Sequence, residues 1–215
     1  MAEAQRAYLP AAGRDWALPL YDPIVALMGG GHTREVLMDQ AALRPDQRVL
    51  EIGCGTGTLL TLIARRYPGI AVVGLDPDPK ALARARTKAR RSRVTIQFDR
   101  GFADQMPYPD ASFDRVLSSF MFHHLPTRDK EPTLREVRRV LKPRGLFVML
   151  DFAADESKRH GFVARRLHAG HQFDDNAESR VLGLMHASGF ADPKRARRDT
   201  VLFGHLPVNY YEASS

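Results

Sequence analysis

Gly53, Gly55 and Gly57 fall within five residues, between the apolar run Val49-Leu50-Glu51-Ile52 and the helical start Thr58-Leu59-Leu60. Backbone without Cβ atoms can bend tightly there and let a ligand lie against bare amide groups. A dinucleotide fingerprint reads GxGxxG, whereas here the third glycine comes one residue early and Thr58 holds its place. Glu51, at the end of the preceding run, would also repel a pyrophosphate. A cofactor that carries an ammonium group and no phosphate fits better. The next apolar run, Val72-Val73-Gly74-Leu75, ends on Asp76, where a carboxylate accepts hydrogen bonds from ribose hydroxyls. The competing reading of an acid there, a helix cap, suits Asp78, because Pro79 is then the first helical residue.

His123 and His124 are the candidates for acid or base work, since imidazole titrates near neutral pH. The alternative is that one is structural, bonded to backbone, and the other lines the cofactor pocket. His168 and His171 have the i, i+3 spacing of a shared helix face, with His160 nearby. Metal binding is conceivable, but with Gly170 between them and no acid at a fixed offset they read first as a polar lid, and no metal is expected. Asp174, Asp175 and Asn176 read as a helix N-cap cluster. The single cysteine, Cys54, forms no internal disulfide and belongs to no zinc-like pair.

These residues need a scaffold. Val49 to Ile52, Ala71 to Leu75, Val94 to Phe98, Phe113 to Ser118 and Leu146 to Leu150 each read as a short buried strand. Thr58 to Tyr67, Pro79 to Arg91 and Lys130 to Leu141 read as amphipathic helices. The alternation predicts an α/β fold, a Rossmann-like doubly wound sheet with right-handed crossovers, mostly parallel. Two late strands around Val201 and Val208 follow a helix that stops at Ser188-Gly189-Phe190, and they supply an antiparallel C-terminal hairpin. Residues 1–45 read as an N-terminal helical cap, 46–215 as the main domain, and 152–176 as a lid inserted in it. Tyr8, Trp16 and Tyr21 in the cap and Phe173 in the lid are candidates to wall an acceptor pocket, with core packing the default.

The chain has 215 residues, of which 44% are hydrophobic and 27% charged, so disordered, collagenous and coiled-coil classes are excluded. No apolar run approaches the roughly 18 residues of a membrane span, and the start lacks the pattern of a secretory signal. A cytoplasmic protein is expected. The net charge of +7 invites nucleic acid or anionic lipid as partner. That excess is local. Lys80, Arg84, Arg86, Lys88, Arg90, Arg91 and Arg93 lie in one acid-free segment, while Leu82, Ala85 and Ala89 form an apolar stripe, the pattern of a solvated helix face.

With these motifs in place the chain resembles the class I S-adenosylmethionine-dependent methyltransferases, in the branch of the ubiquinone and menaquinone biosynthesis C-methyltransferases. The blocks VLEIGCGTG, GLDPDP, GFADQMPYPDASFDRVLSSFMFHHL, LREVRRVLKPRGLFVMLD and HASGF carry the resemblance, from about Arg48 to Phe190. It implies S-adenosyl-L-methionine as methyl donor, S-adenosyl-L-homocysteine as product, and a cofactor site of Tyr21, Glu51, Gly53, Cys54, Gly55, Gly57, Asp76, Pro77, Phe102, Ala103, Ser119 and Phe120. Glu51, Gly53 and Gly55 would follow the methionine part, Asp76 the ribose and Pro77 the adenine. Where the family often has an acid before Ala103 this chain has Phe102, which can cover the adenine ring by apolar packing and leave polar contacts to Ala103 and Asp104. The resemblance sets His123 and His124 beside the methyl donor as the catalytic candidates.

Methyl transfer is an in-line displacement that needs alignment, desolvation and, for some acceptors, removal of a proton. The expected activity is methylation of a small-molecule acceptor. A nicotinamide oxidoreductase fits less well, because the glycine spacing differs and no tyrosine precedes a lysine by four residues. A nucleic-acid methyltransferase would use the basic segment, but Ser118-Ser119-Phe120-Met121 stands where such enzymes carry an Asn/Asp-Pro-Pro-aromatic run. A third class is a cofactor-binding protein without catalysis. The acceptor's identity, the atom methylated and the oligomeric state lie beyond the motifs.

Overall fold

A parallel strand covered by helices on both faces needs apolar side chains on both, which is why the runs around Leu50, Val73, Val116 and Val148 are nearly continuous. The computed structural model describes residues 31–153, 177–202 and 204–215. In chain order these form α1 (Gly31–Gln40), β1 (Arg48–Ile52), α2 (Thr58–Arg66), β2 (Ala71–Asp76), α3 (Pro79–Arg91), β3 (Gln97–Arg100) and β4 (Phe113–Ser119). There follow a 3-10 turn (Phe122–His124), α4 (Thr127–Val140), β5 (Leu141–Phe152), α5 (Glu178–Ala187), β6 (Ala191–Val201) and β7 (Leu206–Ser214).

The seven strands make one sheet in the order β3-β2-β1-β4-β5-β7-β6. The first five in chain order are mutually parallel, β7 runs antiparallel to β5, and β6 antiparallel to β7. This is the doubly wound α/β sheet with an antiparallel C-terminal hairpin that the alternation of elements implied. The strand order reverses between β1 and β4, and such a sheet opens a crevice beyond the carboxyl ends of those strands. Side chains alternate between two cores. Val49 and Val72 join Leu37, Leu60 and Leu82 beneath α1, α2 and α3. Leu50, Ile52, Val73 and Leu75 join Leu134, Val137, Val181 and Met185 beneath α4 and α5. Leu37, Met38, Ala41 and Leu43, in the described part of the N-terminal segment, are buried in the first of these cores.

The local devices that set each element's ends are visible. Asp78 caps α3 by accepting from the Lys80 backbone N–H at 2.8 Å, with Pro79 in the first turn. Ala81, Leu82, Ala85 and Ala89 form the buried stripe of α3, while Lys80, Arg84, Arg86, Arg90 and Arg91 are exposed. α5 ends as the backbone N–H groups of Gly189 and Phe190 bond back to His186 and Met185, with Gly189 at φ +86°.

Four boundaries differ from the sequence expectation by three residues or more. The third strand starts at Gln97, not Val94, because pairing with β2 begins at Val73↔Gln97, while Val94 and Ile96 pack on the core from the connection. α4 begins at Thr127 instead of Lys130, and Pro132 sits inside it without ending it. The strand expected at Leu146 extends back to Leu141 across an irregular register. β6 reaches back to Ala191 although most of it is polar, because backbone bonds to β7 hold it at the sheet's edge.

Candidate active site

The glycine loop is bent by its ties to β2. Gly53 and Cys54 both donate their backbone N–H to the Leu75 carbonyl, at 2.8 and 3.1 Å. All three glycines have left-handed backbone, with φ of +64°, +52° and +70° at Gly53, Gly55 and Gly57. Their tasks differ. A Cβ on Gly53 would come within 2.2 Å of Met121 Cγ, and one on Gly57 within 2.9 Å of Ala85 Cβ, so those two admit neighbouring side chains. A Cβ on Gly55 would meet no atom of the described residues within 4 Å. Gly55 is the position whose bare backbone faces open space, and Gly57 seats α2 against α3 and Phe98.

That open space is a cavity of about 400 Å³ beyond the C-terminal ends of β1, β2 and β4. Of the residues singled out in the sequence, Glu51, Gly53, Cys54, Gly55, Asp76, Pro77, Phe102, Ala103, Ser119, Phe120 and His124 line it. Gly57 and His123 are not among the lining residues. Tyr8, Trp16, Tyr21, His160, His168, His171, Phe173, Asp174, Asp175 and Asn176 lie outside the described residues.

Two acids stand side by side in this wall. Glu51 is 3% exposed and its Oε2 has no hydrogen-bond partner among the described residues. Burial pushes its carboxyl up to about 8, with nearby Asp76 adding to the rise and the charges of Arg34 and Lys88 opposing it. Glu51 lines the cavity, and a buried carboxyl with one oxygen unmet is suited to receive a cation. Asp76 is oriented by the backbone, its Oδ2 accepting from Gly55 at 2.8 Å and its Oδ1 from Asp78 at 2.9 Å. Burial raises its pKa to about 6 despite those two N–H groups. Each oxygen keeps a second lone pair, which is what a vicinal diol needs. The donor set therefore fits an amino-acid nucleoside.

Arg34 on α1 lines the same wall, and sequence reading missed it because no motif surrounds it. A cation and an acid together complement an α-amino acid's two charged ends. Lys88, one of the basic residues of α3, turns inward and donates to the hydroxyls of Thr56 and Thr58 on the loop. The solvated-face reading of that segment holds for its neighbours and not for Lys88.

The opposite wall comes from the chain after β4. Phe120, a bulky residue at φ +53°, is held by its N–H to the Leu150 carbonyl at 2.9 Å, and such strain marks functional sites. The 3-10 turn then separates the two imidazoles: His124 lines the cavity, while His123 is 5% exposed with Nδ1 2.6 Å from Oδ1 of Asp151. Leu125, Pro126, Arg128 and Asp129 complete that side. Arg128 and Asp129 belong to the first turn of α4, the turn that the sequence expectation left out.

Comparison with known proteins agrees with this geometry. The profile of a family described as "Methyltransferase domain" matches residues 49–145. The demethylmenaquinone methyltransferase of Thermus thermophilus is 35% identical over 150 residues, covering 68% of this chain and 67% of that protein. The ubiquinone/menaquinone biosynthesis C-methyltransferase UbiE of Vibrio cholerae is 34% identical over 139 residues, covering 62% of this chain and 53% of that protein. The chain thus spans between about half and two thirds of these relatives' lengths. In fold it is similar to phosphoethanolamine N-methyltransferase 2 of Haemonchus contortus, solved with phosphomonomethylethanolamine and S-adenosylhomocysteine. That likeness has a TM-score of 0.81 at 16% identity, over 95% of this chain and 58% of the other. Sequence blocks, sheet order and relatives converge: the chain belongs to the class I S-adenosylmethionine-dependent methyltransferases, in the ubiquinone and menaquinone biosynthesis branch.

Proposed function

We propose that this protein transfers a methyl group from S-adenosylmethionine to a ring carbon of a small, electron-rich acceptor of the naphthoquinol class. The observation that carries the cofactor half is the buried Glu51, which keeps one carboxyl oxygen unmet and lines a cavity bounded by the bare backbone of Gly55. Glu51 takes the cofactor's ammonium, Arg34 its carboxylate and Asp76 the ribose hydroxyls, while Pro77, Phe102 and Ala103 bound the base. Phe102 replaces a polar contact to the base with apolar cover. When bound, S-adenosylmethionine supplies an electrophilic methyl group whose sulfur leaves as a neutral thioether, without metal or acid.

The acceptor class is supported by the relatives named for demethylmenaquinone and ubiquinone/menaquinone methylation. Only the reduced ring is nucleophilic enough to attack a methyl group. Replacing a ring hydrogen by methyl leaves one proton to remove, and His124, on the cavity wall, is the base. Phe120, Met121 and Leu125 exclude water from that face.

Calorimetric titration with S-adenosylmethionine, S-adenosylhomocysteine and NAD tests the cofactor, with the first two expected to bind and NAD not. Methyl transfer to a short-chain demethylmenaquinol then tests the acceptor. Binding of NAD in place of the sulfonium refutes the cofactor assignment. Cofactor binding with no turnover on any small acceptor favours a binding protein without catalysis.

A further inference from the structure

Asp151, at the C-terminal end of β5, is 1% exposed and fully engaged. Its Oδ1 lies 2.6 Å from Nδ1 of His123 and accepts the Phe152 backbone N–H at 2.7 Å, while its Oδ2 accepts the His123 backbone N–H at 3.0 Å. Burial alone would raise its pKa, but the His123 ring and these N–H groups hold the carboxyl below its ordinary range. A carboxylate can only accept, so Nδ1 of His123 carries the hydrogen. The ring of His123 in turn lies against that of His124, with centroids 4.0 Å apart and planes tilted by 40°. The Phe152 ring also packs on that of His123, with centroids 5.0 Å apart and planes at 69°. Only the last member of this chain, His124, reaches the cavity.

We propose that Asp151 is a positioning residue for methyl transfer, fixing through His123 the orientation and charge state of His124. This rests on the reading that His124 takes the acceptor's proton. Asp151 holds both the backbone and the ring of His123, so it fixes the short turn that presents His124. Among the described residues, the other charged groups lining the same cavity as His124 are Arg128 and Asp129 of α4, Glu51 of β1, Asp76 of β2, Arg34 of α1 and Asp104. Lys130 of α4 lies over the Phe122 ring of the same turn, 5.1 Å from its centroid. Asp151 differs from all of these in bonding directly to the ring stacked on His124.

The sign of the effect follows. A carboxylate one ring away favours protonation of the imidazole pair, so neutralising it makes His124 harder to protonate. A base is idle when protonated, so the acid limb of the kcat profile moves to lower pH. The test uses histidine-labelled protein with S-adenosylhomocysteine, wild type and Asp151→Asn, followed by nuclear magnetic resonance across pH. The wild type is expected to carry the His123 hydrogen on Nδ1. In the variant, the His124 midpoint is expected about one pH unit lower, the size of one buried charge at short range. With short-chain demethylmenaquinol as acceptor, the acid limb of kcat is expected to move by the same amount, while KM for S-adenosylmethionine stays within about twofold. A purely structural role would lower kcat at every pH without moving the limb.

An unmoved His124 midpoint, or a wild-type His123 protonated on Nε2 alone, overturns the proposal. If Asp151→Asn does not fold, the wild type decides: its His123 hydrogen is expected on Nδ1 toward Asp151, and a hydrogen on Nε2 alone overturns it. Absence of wild-type turnover on the naphthoquinol overturns the acceptor reading instead, and the His124 midpoint still decides the role of Asp151.

Discussion

Glu51 shows how one residue can trade stability for binding. Burial pushes its carboxyl up to about 8 in the folded chain, from an ordinary value of 4.5. A carboxyl raised on folding stabilises the fold fully below its unfolded pKa, and the contribution is lost as pH rises through the folded one. The ligand-free protein should therefore lose stability between about pH 4.5 and 8. Glu51→Gln removes that titration, so at pH 9 the ligand-free variant should melt higher than the wild type in a thermal scan. The same change should weaken S-adenosylmethionine binding by about 1 to 3 kcal/mol, the size of a lost charge-assisted hydrogen bond. A variant that binds as tightly as wild type would dismiss Glu51 as the ammonium receptor. A second consequence concerns protons. An ammonium beside Glu51 favours the ionised carboxyl, so binding below about pH 8 should release up to one proton and tighten by at most about tenfold per pH unit toward pH 8. Calorimetry in two buffers of different ionisation enthalpy counts that proton directly, and a flat affinity between pH 6 and 8 would contradict it.

At the level of elements, the loop between β1 and α2 packs through Gly57 and borders the cavity through Gly55, and two substitutions separate the packing task from the proposed binding task. Gly57→Ala sets a Cβ at 2.9 Å from Ala85 and at φ +70°, so it should cost about 1 to 3 kcal/mol of stability. Gly55→Ala meets no atom of the described residues and keeps only the backbone strain, yet it adds a methyl group at the cavity wall. It should lose proportionally more cofactor affinity than stability. Denaturant melts paired with calorimetric titration distinguish the two, and equal behaviour of the variants would refute the division. Much of the element structure was legible in the sequence because burial leaves a periodic trace: α3 was bounded at Pro79 and Arg91 by its cap and its alanine stripe. The first turn of α4 was not, since Thr127-Arg128-Asp129 has no apolar residue and Pro132 reads as a breaker. The reach of β6 back to Ala191 escaped for a related reason, being polar edge strand held by backbone bonds rather than by apolar faces.

Across the whole molecule, site and support occupy opposite ends of the sheet. At the end away from the cavity, Asp114 accepts from the Arg48 backbone N–H and from Lys142 Nζ, each at 2.8 Å, tying β1, β4 and β5 together. Burial opposes its ionisation, but these donors hold the carboxyl below its ordinary value. The stability it contributes is present above the unfolded pKa and is lost as pH falls through the folded one. Asp114→Ala should cost about 1 to 2 kcal/mol at pH 7 and progressively less below pH 4, with kcat and cofactor affinity unchanged. A loss of binding without a fall in melting temperature would place Asp114 in the site's machinery instead.

The sequence by itself determined the α/β alternation, the glycine loop, the acids at positions 51 and 76, and the family, because contiguous segments carry these as periodicity, spacing and block order. Only the tertiary structure decided that Arg34 faces Glu51's cavity, that Lys88 turns back to the loop, and that His123 belongs to Asp151 while His124 faces the cavity. Those partners are far apart along the chain, or adjacent in it with opposite environments. Local pattern encodes which face of an element is buried, whereas the groups that meet there are set by how separate elements pack.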